Sequence, residues 1–210
     1  MMGKLYLGCK PSILNGTEKV FQPSKTMVIP QEYSFQSQMP PILNQGQTNM
    51  CVTYAVGSHV DWNINMSKKT PRKDNNVDRN GIYSVRTSMG DNGMQIKEAL
   101  NYLKSKGVKT NVGITKIDNY AKVNSELNLK YALIANGPCV GGLMCYSDST
   151  EFWKKGYGQP LGGHAISIVG YTKDGFIIRN SWGTSYGKGG YSILKYSDFQ
   201  SFFELWTIID

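Results

Sequence analysis

Residues 44–57 read NQGQTNMCVTYAVG. A polar turn with one glycine runs into Cys51 and directly on into an amphipathic stretch. Val52, Ala55, Val56, Val60 and Ile64 recur at helical spacing, so a helix is expected to begin at Cys51. It should stop near SKKTPRKDNN (67–76), where Pro71 and the Asn/Asp cluster break it. At a helix N-terminus, unsatisfied N–H groups and the helix dipole favour negative charge. Only the thiolate of a cysteine attacks a carbonyl well. Cys51 is therefore either a buried thiol that opens a helix or a nucleophile held for use.

A nucleophilic thiol needs an imidazole, and the chain has two histidines. His59 lies eight residues along the same expected helix, roughly 12 Å from Cys51, and reads as structural. His164 follows LGG and precedes AISIVGY, which places it at the edge of a strand with a glycine-lined approach.

The stretch MQIKEALNYLKSKG (94–107) carries a stripe of Ile96, Ala99, Leu100 and Leu103 and reads as a second helix, stopped by Gly107. A turn at 90–93 precedes it. A third helix is expected from about Asn124 to Ala135, ended by Asn136-Gly137-Pro138. Beyond Pro138 the runs are short, β-branched and aromatic: CVGGLMCY, HAISIVGY, GFIIRNSW, GYSILKY and ELWTIID read as strands. Lys173-Asp174-Gly175 signals a hairpin between two of them. A hairpin that short sets His164 and Asn180 side by side across the ladder. The first part is mainly helical and the second mainly strand, an α+β chain. Residues 1–28 are irregular, punctuated by Pro11, Gly16 and Pro23.

At 210 residues the chain suits one large domain or two lobes on a shared core. With 40% hydrophobic and 18% charged residues it is expected to be globular. No apolar run approaches the roughly 18 residues of a membrane span. The opening MMGKLYLGCKPSILNG lacks the apolar core of a signal peptide, so a leaderless protein in the cytoplasm or another reducing compartment is expected. The net charge is +8. The basic stretch KKTPRK (68–73) and the lysines from Lys97 to Lys130 read as a solvated face. Aromatics do not interleave them as in a nucleic-acid platform. The four cysteines form no CxxC pair, which argues against a zinc site, and no metal or organic cofactor is expected.

Three blocks, QGQTNMCVTYA (45–55), GGHAISIVGY (162–171) and IIRNSWGTSYGKGGYSIL (177–194), together resemble the papain-like cysteine proteases. IPQEYSF (29–35) is similar to the start of a mature domain of that family, and GDNGMQIKEALNYLKSKGV (90–108) to its glycine turn and following helix. The resemblance implies a two-lobe α+β fold, with a helical lobe (about 45–120) and an antiparallel β-barrel-like lobe (about 121–210 plus 29–44) around a cleft. It implies a peptidase domain over 29–210, preceded by an N-terminal extension or short propeptide (1–28). It implies Cys51 as nucleophile, His164 as its base and acid, Asn180 as the residue orienting the imidazole, and Gln45 as oxyanion donor. Trp182 would shield the Asn–His contact. Gly93 and Met94 would pair with substrate backbone, and Gly142, Gly162 and Gly163 would line a specificity pocket, with Leu205 on the last strand. Such glycine lining suggests a bulky apolar side chain. The implied partner is a polypeptide substrate, without nucleic acid or membrane, and residues 1–28 are a candidate occupant of the chain's own cleft, releasable near Val28-Ile29.

The chain departs from the family in places. Thr48 and Asp91 stand where a disulfide pair is usual, which fits a reducing compartment. Cys51 to His164 spans 113 residues, against roughly 130 in papain and cathepsins. A compact lysine- and asparagine-rich member suggests a bacterial or bacteriophage source, where association with a virion is an option. Two other readings stay open: a catalytically idle protein of this fold that binds peptide or builds an assembly, and a different cysteine hydrolase.

Overall fold

The computed structural model describes residues 6–24, 26–67, 74–90, 92–147, 151–154, 156 and 158–210. KKTPRK and Asp91 lie outside the described residues. In chain order the strands are β1 (Cys9–Lys10), β2 (Tyr33–Ser34), β3 (Met94–Gln95), β4 (Val108–Thr110), β5 (Gly113–Thr115), β6 (Asn119–Lys122), β7 (Cys139–Tyr146), β8 (Pro160–Tyr171), β9 (Gly175–Arg179), β10 (Tyr191–Lys195) and β11 (Phe202–Ile209). The helices are α1 (Cys51–Ser67), α2 (Arg79–Tyr83), α3 (Ile96–Ser105) and α4 (Glu126–Asn136). The three helices expected from periodicity are α1, α3 and α4. The five-residue α2 is too short to show a period.

Local chemistry sets the ends of these helices. Gln95 and Glu98 form a reciprocal capping box at the start of α3. The Ser125 hydroxyl accepts the Asn128 N–H at the start of α4. Gly137 ends α4 at φ 89°, and a Cβ there would stand 2.3 Å from the Trp62 ring.

The main sheet runs β10-β9-β8-β7-β11-β6, with β2 also paired to β8. Its pairings are antiparallel. The sheet stays open, so the α+β two-lobe arrangement forms without a closed barrel. Helix α1 lies across one sheet face, where the Ser167 hydroxyl of β8 donates to the Ala55 carbonyl at 3.0 Å. Val56, Val60, Ile82, Ile96, Leu100 and Trp206 belong to the apolar cluster around that contact. A second cluster, with Leu129, Leu133, Phe152, Ile166 and Ile178, fills the opposite side of the sheet. Because α1 is covered by the sheet on one side and by α2 and α3 on another, it is buried nearly all round. Its charged and polar residues are therefore paired. His59 joins the Pro138 carbonyl (2.7 Å) and Asp210 (2.8 Å), the structural role expected of it.

Asp61 is fully buried. It accepts the N–H groups of Asn76 and Val77 (2.5 and 3.0 Å) and pairs with the Arg79 guanidinium at 2.5 Å. This cluster pins the segment leading into α2 against α1. Asp61→Ala leaves a buried guanidinium without its counter-charge, and is expected to cost about 3–5 kcal/mol in urea unfolding. A loss under 1 kcal/mol would mean that the cluster is not buried as described.

Candidate active site

Cys51 is the first residue of α1, and its side chain is wholly buried. Gln45, in the turn ahead of it, is held from two sides. Its Oε1 accepts from the Ser181 hydroxyl (2.6 Å) and its Nε2 donates to the Thr48 carbonyl (2.7 Å). Thr48 in turn donates its hydroxyl to the Gln45 carbonyl at 2.7 Å. Thus Thr48, where a disulfide cysteine was the family pattern, braces the turn by hydrogen bonds. All four cysteines are free and buried.

His164 does not stand at a strand edge as its sequence context suggested. It lies inside the 12-residue β8, paired with Leu143 of β7. The β8–β9 hairpin brings Asn180 to it, and His164 Nε2 lies 2.8 Å from Asn180 Oδ1. An amide oxygen can only accept, so in the neutral ring Nε2 carries the proton. Nδ1 is left with a free lone pair and has no hydrogen-bond partner among the described residues. Asn180 Oδ1 also accepts the Ser181 N–H at 2.7 Å, which fixes the amide. Trp182 stacks on the imidazole, centroids 4.5 Å apart and planes 28° off parallel, and Phe152 meets both rings. Phe152 has no counterpart among the motifs read from the sequence. It lies in a turn between β7 and β8, beside Trp153, and only the fold brings it to the site.

Electrostatics follow from burial. Burial pushes the Cys51 thiol up to about 11, against the pull of the Ala165 and Gly8 backbones. Burial lowers His164 to about 4, against the pull of Asn180. At pH 7 both groups are therefore uncharged in this state. About one Cys51 in 10⁴ is a thiolate.

The cleft above these residues is filled by the chain's own residues 6–13. The Tyr6 carbonyl accepts from Gln45 Nε2 at 3.1 Å. Gly8 passes over Cys51, and its carbonyl accepts the Met94 N–H at 2.8 Å. Strand β1 then runs parallel to β3, Cys9 opposite Met94. The approach is so close that a Cβ on Gly8 would stand 1.9 Å from the Asn49 carbonyl oxygen. One on Gly163 would stand 2.0 Å from the Cys9 carbonyl oxygen. The Cys9 thiol points at Gly142, 3.3 Å from where a Cβ would be. Farther on, Ile13 N–H donates to the Gln95 side chain and Ser12 Oγ accepts the Lys97 N–H. Glu18 pairs with Lys97, and Phe21 N–H donates to the Lys122 carbonyl of β6. The ion pair draws the Glu18 carboxyl down to about 2.

The site residues expected from the sequence, Leu205 apart, line one groove: Cys51, His164, Asn180, Gln45 and Trp182 around the thiol, and Gly93, Met94, Gly142, Gly162 and Gly163 along residues 7–9. Leu205 does not. It faces the other side of the sheet, packed toward Gly141. Its neighbours Phe203 and Glu204 take the pocket side instead, the Phe203 ring against Gly142 and Gly163. A one-residue offset flips a strand's faces. A register shift between Phe202 and Glu204 produces that offset, and nothing in the sequence signals it.

The sequence model of the papain family cysteine proteases matches residues 104–201. That stretch is 98 of the 210 residues. It is 40% identical to macrodontain-1 of Ananas macrodontes over 78 residues, 35% of this chain and 36% of that protein. It is 26% identical to cysteine proteinase 3 of Entamoeba histolytica over 196 residues, 79% of this chain and 62% of that protein. These matches therefore span less than two thirds of either relative. Among solved structures, xylellain of Xylella fastidiosa superposes with a TM-score of 0.81 at 20% identity, covering 97% of this chain and 96% of that one. A procathepsin B of Trypanosoma congolense superposes with a TM-score of 0.80 at 14% identity, covering 97% and 86%.

Since His164 is lowered from an ordinary value of 6.5 to about 4, the fold favours its neutral form. That stability is fully present above pH 6.5 and is lost as pH falls through 4. The difference is about 3 kcal/mol. Urea unfolding of the full chain between pH 7 and pH 4, set against His164→Gln, should show a loss of that order only with histidine present. Equal slopes would contradict a buried neutral His164.

Proposed function

We propose that this chain is a papain-family cysteine endopeptidase, held latent by its own N-terminal segment. The observation that carries the reading is the peptide already in the groove: a backbone carbonyl on the Gln45 amide, a backbone strand on Met94, and a glycine across the thiol. A groove that binds main chain by these contacts binds a polypeptide substrate by the same contacts.

In the cleared cleft, His164 Nδ1 takes the Cys51 proton while Asn180 keeps the Nε2 proton in place. Water reaching both groups removes the burial that holds them uncharged, so the thiolate–imidazolium pair forms. The thiolate attacks the scissile carbonyl. The oxyanion is met by the Gln45 side-chain amide and the Cys51 backbone N–H. The imidazolium then protonates the leaving amine. His164 next draws a proton from water, and that water releases the acyl group and regenerates the thiol. Trp182 and Phe152 keep the Asn180–His164 contact dry. Gly93 and Met94 hold the substrate strand, and Gly142 and Gly163 open the pocket beside it.

Val28 is 82% exposed, so the chain beyond Phe21 is open to a cutting enzyme near Val28-Ile29. Mild acid does not break the Glu18 anchor. Its lowered pKa means the ion pair's contribution is present above the ordinary carboxylate value and lost only as pH falls through about 2.

The full-length Gly8→Leu chain tests this directly, because any side chain at position 8 collides with Asn49 and lifts the segment. It should hydrolyse fluorogenic peptides and unfolded protein at least about 10²-fold faster than the unaltered chain. Adding Cys51→Ala should abolish the activity, and adding Gln45→Ala should lower kcat by about 10²- to 10³-fold. Hydrolysis that survives Cys51→Ala, or none from Gly8→Leu, would refute the assignment.

A further inference from the structure

Away from the groove, a cavity of about 320 Å³ opens between α1, β2, the end of α4 and the end of β11. Its aromatic walls are fixed. The Phe35 N–H donates to the Val169 carbonyl at 2.8 Å, and Tyr33 pairs with Tyr171 of β8. The Trp62 indole N–H donates to Gln38 Oε1 at 3.2 Å, and its ring packs on Gly137. Phe35 meets Tyr33 at 5.1 Å and 89°, and Trp62 at 4.8 Å and 66°. The three rings therefore stand as separate walls, not as a stack. A ring face is the negative side of the aromatic quadrupole. The opposite wall is the last turn of α4, residues 134–137, beside Asp210. That turn holds no basic residue, and Pro138 after it has no N–H to offer. Unpaired carbonyls give a helix end partial negative charge. Asp210 adds a carboxylate. Its Oδ2 lies 2.8 Å from His59 Nε2, so the acid is shared and would not make a site alone. Rings, helix end and carboxylate all favour positive charge. Yet no lysine or arginine among the described residues lines the cavity, in a chain of net charge +8.

We propose that this cavity binds a small organic cation, an alkylammonium or guanidinium group on a short apolar stem. The stem lies along the rings of Tyr33, Phe35 and Trp62, and the charge faces Asp210 and the end of α4. An anion would meet negative surfaces on every side. A hard metal ion needs oxygen ligands around it, and rings form much of this wall. The cavity shares no residue with the groove around Cys51, and Ala135 and Asp210 at its rim are exposed. It is therefore open while residues 6–13 cover the thiol, and the proposal does not rest on the peptidase reading. A free organic cation and the side chain of an Arg or Lys in a polypeptide present the same chemistry to it.

Isothermal titration of the unaltered full chain with butylguanidinium chloride, and with its neutral isostere butylurea, tests this. Butylguanidinium should saturate one site and bind at least about 10-fold more tightly than butylurea. Asp210→Asn keeps an acceptor for His59 and removes the charge, and Trp62→Leu removes a ring. Each should weaken butylguanidinium at least about 5-fold. If Trp62→Leu does not fold, Asp210→Asn decides alone. No saturable binding, equal affinity for the two compounds, or an affinity untouched by Asp210→Asn overturns the proposal. Acetyl-Ala-Arg-Ala-amide, titrated with and without butylguanidinium, separates the sources. Competition between the two supports a site for a polypeptide side chain, and binding of butylguanidinium alone supports a site for a free cation.

Discussion

The side-chain amide of Gln45 ties together three stretches of chain. Its oxygen takes the Ser181 hydroxyl beside Asn180, one amide hydrogen goes to Thr48 in the turn before α1, and the other goes to Tyr6. The first two bonds lock the start of α1 against the corner that follows β9. That lock sets the thiol at the helix N-terminus against the backbone of Ala165 on β8, the residue after the imidazole. The third bond places a peptide carbonyl where the amide is free to receive it. The groove and its occupant therefore share one anchor, and residues far apart in sequence converge because this polar group is fully used.

The proposed latency is a matter of solvation. The thiol and the imidazole lie in one buried region, each pushed toward its uncharged form by the loss of water. Residues 6–13 complete that burial, so they block the groove and also hold both groups uncharged. In the proposed reading, removing them restores water and with it the charged pair. The fit depends on missing side chains: Gly8 and Gly163 let two backbones approach where any Cβ would collide.

Much of the site was legible in the sequence because its chemistry is local. Cys51 opens a periodic run, Gln45 lies in the turn before it, and the short Lys173–Gly175 hairpin predicts the meeting of His164 with Asn180. Three long helices were legible for the same reason. The illegible parts depend on tertiary register. The shift on β11 exchanged Leu205 for Phe203 and Glu204 at the pocket, and pairing β8 with β7 moved His164 from an expected strand edge into its interior. The two-residue β1 carries no periodic signal at all. It is a strand only because β3 receives it.

The central claim is that residues 6–13 cover an assembled but uncharged Cys51. Intact-mass labelling with an epoxysuccinyl thiol inhibitor at pH 7, on the unaltered full chain and on Gly8→Leu, tests it most directly. The account predicts a single adduct that forms slowly or not at all on the unaltered chain, forms at least about 10²-fold faster on Gly8→Leu, and is absent when Cys51→Ala is added. Equal rapid labelling of both chains would contradict it, because the thiol would then be neither covered nor held uncharged by the segment above it.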